Sequence, residues 1–163
     1  MVISRLFFET QLGVCGIEWS DTVVTRFRLP DEKLASGATE VPTWVEVLKE
    51  RVQRHLAGDF QDFTDVPLDY ARVSSFQRAV YDASLTVKAG TTRTYGWLAS
   101  AIGQPVTVSR AVGTALGQNP WPLIVPCHRF VSADGKMTGF SAPGGIKTKL
   151  RLLALEGAEL FAE

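Results

Sequence analysis

Cysteine is scarce: Cys15 and Cys127 are the only two in 163 residues. They lie far apart, and neither belongs to a CxxC pair or has a companion histidine at metal-ligand spacing. This argues against both a disulfide framework and a zinc site. Long apolar runs are missing too, and no stretch approaches the roughly 20 residues a membrane helix needs. The opening "MVISRLFFETQLG" has neither a cleavable apolar segment nor an Arg/Ser-rich transit character, so a cytoplasmic or nuclear address is expected. There is no internal repeat and no low-complexity tract. The length suffices for one ordinary domain or two small ones packed together, each with a real core.

Net charge is also absent, but the zero is uneven. Residues 1–70 carry 7 Lys/Arg against 12 Asp/Glu, whereas residues 71–157 carry 10 against 3. A basic module inside a neutral chain is the footprint of a nucleic-acid surface, and a solvated helix face gives the same count.

Short segments rich in Val, Ile, Phe and Trp at 2–9, 14–19 and 22–28 predict a small meander with a turn at Ser20-Asp21. Trp44, Leu48, Val52 and Leu56 recur every four residues and predict one stripe of a helix that Gly58 can end. A further strand is expected around 60–68. From Ser74 the pattern turns helical: Ser74 and Gln77 form a capping box, and Phe76, Val80, Ala83 and Val87 follow at helical spacing toward Gly90. Next come a helix from about Tyr95 to Ile102, a turn at "GQP" and a second helix from about Val108 to Leu116, with Thr107 as N-cap. This is a helix-turn-helix pattern, equally compatible with an ordinary helical hairpin. The second helix is small-sided, with Ala111, Gly113, Thr114 and Ala115, and Arg110 is its one charge. A reader of major-groove base edges would carry several long polar side chains, so the pattern favours a minor-groove or shape reader. Last come a hairpin at Asp134-Gly135 and a basic helix from Ile146 to Glu156, with Leu150, Leu153 and Leu155 available for burial. The fold class is α+β: a small sheet-plus-helix domain (residues 1–70) followed by a mainly helical domain (71–163).

Between the helical pair and the last helix lies "NPWPLIVPCHRFV". Three prolines exclude a regular central strand and make it a stiffened loop. A cysteine is nucleophilic only as thiolate, so Cys127 needs a base, for which His128 is the candidate, and the base needs a carboxylate to orient it. The basic module holds only Asp82, Asp134 and Glu156. Asp134 belongs to the turn and Asp82 to an exposed helix position, which leaves Glu156. Consecutive extended residues point apart, so Cys127 and His128 can cooperate only through a bridging water or a sharp bend at Pro126. Out of this context a lone Cys is most often a core residue and a lone His a structural one.

"IVPCHRF", together with "TYGWLA", "SRAVGTAL", "QNP" and "LLALEG", resembles the O6-alkylguanine-DNA alkyltransferases over nearly all of residues 74–157. The first 70 residues are similar only in outline, ribonuclease H-like by that resemblance. The resemblance implies a DNA repair protein that moves an alkyl group from O6 of guanine, with O4 of thymine as a further donor, irreversibly onto Cys127. It implies that His128, held by Glu156, activates Cys127 through water, and that Asn119 braces the loop. Tyr95 would donate to the flipped base and Arg110 would fill the space it leaves. Thr107, Ser109, Ala111 and Gly113 would line the DNA face. Pro126, Phe130, Phe140, Ser141 and Lys149 would form the pocket, with the carbonyls of Cys127 and Phe130 accepting from the guanine amino group. The implied partner is double-stranded DNA bound through its minor groove by a monomer able to assemble along it in a nucleoid or nucleus, with no membrane, metal or cofactor. Two rivals are a non-catalytic sensor of the same fold, which would lack the cysteine, and a cysteine hydrolase, which would turn over.

Overall fold

A computed structural model describes residues 2–31, 40–134 and 145–158. The described residues are mixed α/β, with a small antiparallel sheet and five α-helices among them. Strands β1 (Ser4–Thr10), β2 (Gly13–Ser20) and β3 (Val23–Arg28) pair in sequence order, with a bulge between Glu18 and Trp19. The second turn is Asp21-Thr22, one residue beyond the expected place, with Asp21 at φ +52°. Phe7 faces Gly16 across the first pair, and a Cβ on Gly16 would lie 2.6 Å from the Phe7 ring, so the glycine makes room for the aromatic to lie over the strand.

The outer edge of β3 is closed by irregular chain. Val24 N–H donates to Pro67 O at 2.7 Å, and Val24 O accepts from Asp69 N at 3.0 Å and from Trp121 Nε1 at 2.9 Å. The expected strand at 60–68 does not form. Among the described residues this stretch offers one bridge, Leu68 to Val24, because Pro67 has no N–H for a regular ladder.

Helix α1 (Thr43–Leu56) buries Val45, Leu48, Val52, His55 and Leu56, while Trp44 is only half-buried. The stripe is thus rotated from the one expected, and it includes a histidine. Helix α2 (Ser75–Ser84) begins on the full Ser74/Gln77 capping box. It stops at Ser84, well short of Gly90, and it turns Val80, Tyr81 and Ser84 inward. Val87 is buried beyond the helix end.

A two-residue parallel pair, β4 (Arg93–Thr94) with β5 (Phe130–Val131), ties the start of α3 (Tyr95–Ala101) to the cysteine loop. Thr94 Oγ1 caps α3 through Trp97 N at 3.0 Å. Helix α4 (Ser109–Gly117) follows a 3₁₀ turn at Val106–Val108. Thr107 is therefore an exposed member of that turn and not the N-cap. Val108 holds the cap position without a side-chain bond, and Ser109 Oγ donates back to Val106 O at 2.5 Å. Helix α5 (Gly145–Leu155) buries Lys149, Leu152 and Leu153. Leu152 takes the inward place expected of Leu150 and Leu155, which are half-buried. The expected hairpin after Asp134 lies outside the described residues.

Trp121 joins the parts. It is fully buried, bonds Val24 and meets Tyr70 and Tyr81 edge-on at 5.5 and 6.0 Å. Arg151 donates to the carbonyls of Gln11 and Leu12 at 2.7 and 3.1 Å, fastening α5 to the β1–β2 turn. Buried apolar residues from both sides of residue 70 belong to one cluster. No helix among the described residues is long and apolar enough to cross a membrane.

Tyr81 Oη donates to Ala115 O at 2.6 Å and links α2 to α4 in the interior. Tyr81→Phe leaves that carbonyl without this donor and is expected to lower stability by about 1–3 kcal/mol. Urea unfolding should show a lower midpoint at unchanged slope, and an unchanged midpoint would mean the bond carries no net weight.

Candidate active site

The loop before Cys127 is bent by its own sequence. Val125 N–H donates to Trp121 O at 2.8 Å around Pro122, Leu123 and Ile124. Leu123 is held at φ +79°, a strained conformation that its fully buried side chain locks in place. Pro126 (φ −82°, ψ 63°), with Cys127 N–H to Val125 O at 2.8 Å, is an inverse γ-turn. Cys127–Arg129 then form a single 3₁₀ turn, closed by Arg129 N–H to Pro126 O at 3.0 Å. The bend required at Pro126 is present. Successive side chains in a 3₁₀ turn diverge by about 120°, less than across a strand.

Asn119 spans this loop. Its Nδ2 donates to Val125 O at 2.9 Å and its Oδ1 accepts from Trp121 N at 2.8 Å. The Asn119 amide and the Lys149 cation both favour the thiolate of Cys127. Burial is the larger effect and pushes the Cys127 thiol above its ordinary range. Burial likewise lowers Lys149 to about 8, against the pull of Cys127. Lys149 Nζ donates to Phe130 O at 2.6 Å and lies 6.0 Å from the centre of the half-buried Tyr95 ring. Tyr81, raised to about 12 by burial and by the charge at Cys127, borders the thiol as well.

Glu156 follows α5 and is buried. His128 Nε2 lies 2.8 Å from its Oε1. Arg129 grips both oxygens, Nε to Oε1 at 2.9 Å and Nη2 to Oε2 at 2.6 Å, and its Nη1 donates to Val87 O at 2.6 Å. From α1, His55 Nε2 reaches Oε2 at 2.7 Å. Each carboxylate oxygen thus has two partners, which saturates its acceptor sites. Burial alone would raise Glu156; the attraction of His128 and the hydrogen bonds from Arg129, His128 and His55 overcome it and hold the carboxyl far below the usual range. Burial lowers His128 in spite of Glu156, so its resting form is neutral imidazole. With Nε2–H given to the carboxylate, His128 Nδ1 carries the lone pair, and this buried atom has no protein partner.

Residues 75–158, just over half the chain, match the family described as 6-O-methylguanine DNA methyltransferase, DNA binding domain. The chain belongs to that family. A methylated-DNA--protein-cysteine methyltransferase of Mycolicibacterium paratuberculosis is 40% identical over 151 residues, covering 91% of this chain and 88% of that protein. The crystal structure of Mycobacterium tuberculosis O6-methylguanine methyltransferase superposes at a TM-score of 0.81 and 34% identity, over 99% of this chain and 97% of that one. A crystal structure of Mycobacterium tuberculosis OGT in complex with DNA superposes at 0.77 and 36% identity, over 93% and 92%.

The structure brings Cys127, His128, Glu156, Asn119, Pro126, Phe130, Lys149 and Tyr95 into one region. The carbonyls of Cys127 and Phe130 already accept from Phe130 N and Lys149 Nζ, leaving each one further lone pair. Phe140 and Ser141 lie outside the described residues. Arg110 and Ala111 are exposed on α4, Ser109 and Gly113 are half-buried, and a Cβ on Gly113 would stand 4.0 Å from Tyr95 Cζ. Sequence reasoning missed His55 and Arg129. Arg129 stands in the quoted motif beside His128, and His55 lies three residues past Val52 on the apolar face of α1, so both carried a signal.

Glu156→Gln is expected to lower stability at neutral pH by roughly 3–5 kcal/mol, since it leaves Arg129 buried without its counter-charge. Because the folded-state value of Glu156 lies below the unfolded value of about 4.3, its stabilisation is complete above about pH 5 and lost on further acidification. His128 is also lowered on folding, so the unfolded chain takes that proton first and stability declines as pH drops below about 6.5. Unfolding titrations from pH 3 to 8 should therefore show both declines in the parent, and in the variant the upper one with a shallower loss below about pH 5, since Asp62, held low by Lys88, remains. Parallel curves down to pH 3 would remove Glu156 as the acid-sensitive group.

Proposed function

We propose that this protein repairs alkylated DNA by transferring a methyl or larger alkyl group from O6 of guanine, and in the same way O4 of thymine, to its own Cys127, once per molecule. The observation that carries the reading is the buried Cys127 turn beside a neutral His128 that Glu156 holds by Nε2, with its Nδ1 lone pair unengaged by protein. The family membership and the methyltransferase relatives support the same reaction.

Transfer is an in-line displacement at a saturated carbon: the S–C bond forms as the C–O6 bond breaks. The thiol proton passes through a water to His128 Nδ1, and the imidazolium that results is balanced by Glu156. Guanine leaves with negative charge developing on the ring, which the Tyr95 hydroxyl neutralises by donation. Lys149, anchored on Phe130 O, stabilises the thiolate. Pro126 and Asn119 keep the loop from relaxing away from the attack line. A thioether is not reversed by the thiol chemistry available to a protein, so the molecule acts stoichiometrically.

A base stacked in a duplex cannot present its O6 substituent, so the nucleotide is flipped out, at a cost of about a few kcal/mol. The helical pair α3–α4 acts as a helix-turn-helix on the minor groove. Exposed Arg110 in the first turn of α4 enters the stack in place of the base, and Ala111 and Gly113 let the helix lie close. Thr107 and Ser109 sit at its entry. Residues 71–163 form the DNA-binding and acceptor part and residues 1–70 its brace. The working form is a monomer that binds duplex DNA, in the cytoplasm or wherever the chromosome lies.

Intact-protein and peptide mass spectrometry after incubation with an O6-methylguanine duplex should show one added methyl, on Cys127, in amounts that never exceed the protein. Methyl on Cys15 alone, or product beyond one equivalent, defeats the reading; Cys15 is buried, and its thiol is raised to about 12 by that burial against a hydrogen bond with Thr10. Arg110→Ala should slow repair of the duplex by about tenfold or more, the scale of one lost stacking contact, while reaction with free O6-methylguanine base stays within about twofold. Equal loss on both substrates would take the intercalating role from Arg110.

A further inference from the structure

We infer that His55, on the N-terminal helix α1, is a positioning residue for alkyl transfer: its Nε2–H holds Glu156 ionised and aimed at His128. The inference rests on the reading above that His128 is the base for Cys127, and it gives the N-terminal part of the chain a share in the reaction centre.

The hydrogen bonds fix what His55 can do. Gln61 N–H donates to His55 Nδ1 at 3.0 Å, so this nitrogen must present a lone pair. The ring proton is therefore on Nε2, 2.7 Å from Glu156 Oε2, and His55 is a donor there. It is fully buried, with the rings of Phe60 and Phe63 tilted against it at 5.6 and 5.3 Å, so the imidazole cannot turn its other nitrogen toward the carboxylate without breaking the Gln61 bond. The charged and titratable groups that face it are Glu156, Arg129 and His128. In the neighbouring exposed chain Arg51 is paired with Asp65, and Asp62 with Lys88.

Three side chains compete for one carboxylate, and His128 receives what the other two leave. Arg129 bridges both oxygens, so it fixes the plane of the carboxylate without choosing between them. His55 contacts only Oε2 and His128 only Oε1. The His55 bond engages Oε2 alone and draws electron density from the carboxylate, which weakens it as an acceptor for His128. If the donor is removed, Glu156 becomes a stronger acceptor, the His128 imidazolium is stabilised, and the base is occupied by a proton at a higher pH.

Two substitutions separate this role from packing. His55→Gln puts an amide N–H near the place of Nε2 and keeps the donor to Glu156. His55→Asn puts an amide oxygen near the place of Nδ1, keeps the acceptor for Gln61 N–H and loses the donor. In single-turnover transfer from an O6-methylguanine duplex, the acid limb of the pH–rate profile should move up by about one pH unit in His55→Asn and stay with the parent in His55→Gln. If the two variants move alike, or neither moves, the inference is wrong. The chain has only two histidines, so long-range ¹H–¹⁵N spectra of the unsubstituted protein report the site directly. Both rings should be Nε2–H tautomers at neutral pH, and an Nδ1–H tautomer at His55 overturns the inference whether or not the variants fold. Absence of methyl on Cys127 in the unsubstituted protein would instead refute the proposed function, so the two failures are distinguishable.

Discussion

The Glu156 carboxylate is the interaction on which the rest depends. It collects partners from two separate places in the chain, His55 from α1 and His128 and Arg129 from the cysteine turn, and ties both to the end of α5. Such a buried charge is costly unless every acceptor site is filled. Here each oxygen has two partners, so the group stays ionised in the interior, and each partner is fixed relative to the others. Arg129 extends the arrangement to the chain beyond α2 through Val87 O.

A second constraint is backbone and lies on the other side of the thiol. The α4–β5 connection is made rigid by Pro120, Pro122 and Pro126, by the left-handed Leu123 and by the two hydrogen bonds of Asn119. Trp121 anchors this loop to β3, whose Val24 carbonyl accepts both the indole and Asp69. The sheet, which carries none of the reacting groups, thus helps to set the height of the cysteine turn. A stiff loop on one side and a saturated carboxylate on the other determine where Sγ and Nδ1 can be, and a nucleophile gains most from such placement when the attack line is narrow.

Much of this was legible in the residues. The alternation in 4–28, the capping box at Ser74 and the Asn-Pro to Phe130 stretch each express a local rule, and local rules survive folding. Choosing Glu156 among three acids also worked on local grounds, since Asp82 is exposed on α2, where it pairs with Tyr70 and Arg78. The readings that failed depended on partners far away. Leu48, Val52 and Leu56 of the expected α1 stripe are buried, but Val45 and His55 join them in place of Trp44, and His55 meets a carboxylate 101 residues on. Lys149, which the resemblance put in the pocket, is buried on a helix whose other cations, Lys147 and Arg151, are exposed, because Phe130 O and the thiol receive its charge. A 60–68 strand was plausible by composition, and Pro67 together with the loop from α4 limits it to one bridge. His55 and Lys149 are inside because each meets a partner elsewhere in the chain, Glu156 for the one and the Phe130 carbonyl for the other.

The same burial explains the resting state of the nucleophile. Burial raises the Cys127 thiol and lowers the His128 imidazole, so at rest the pair is neutral on both sides, and the proton moves only when something stabilises the charge-separated form. A permanently ionised, accessible thiolate would be open to the oxidation that consumes low-pKa cysteines. For a protein whose only nucleophile is used once, loss of that sulfur before the substrate arrives is loss of function. On the proposed mechanism, a buried and protonated thiol, with His128 as the proton acceptor already held by Glu156, protects the sulfur and still leaves a short route to the thiolate. The cost falls on the rate of proton transfer, which the fixed geometry of the carboxylate reduces, and that ties the chemistry of Cys127 to a network reaching back to the first helix of the chain.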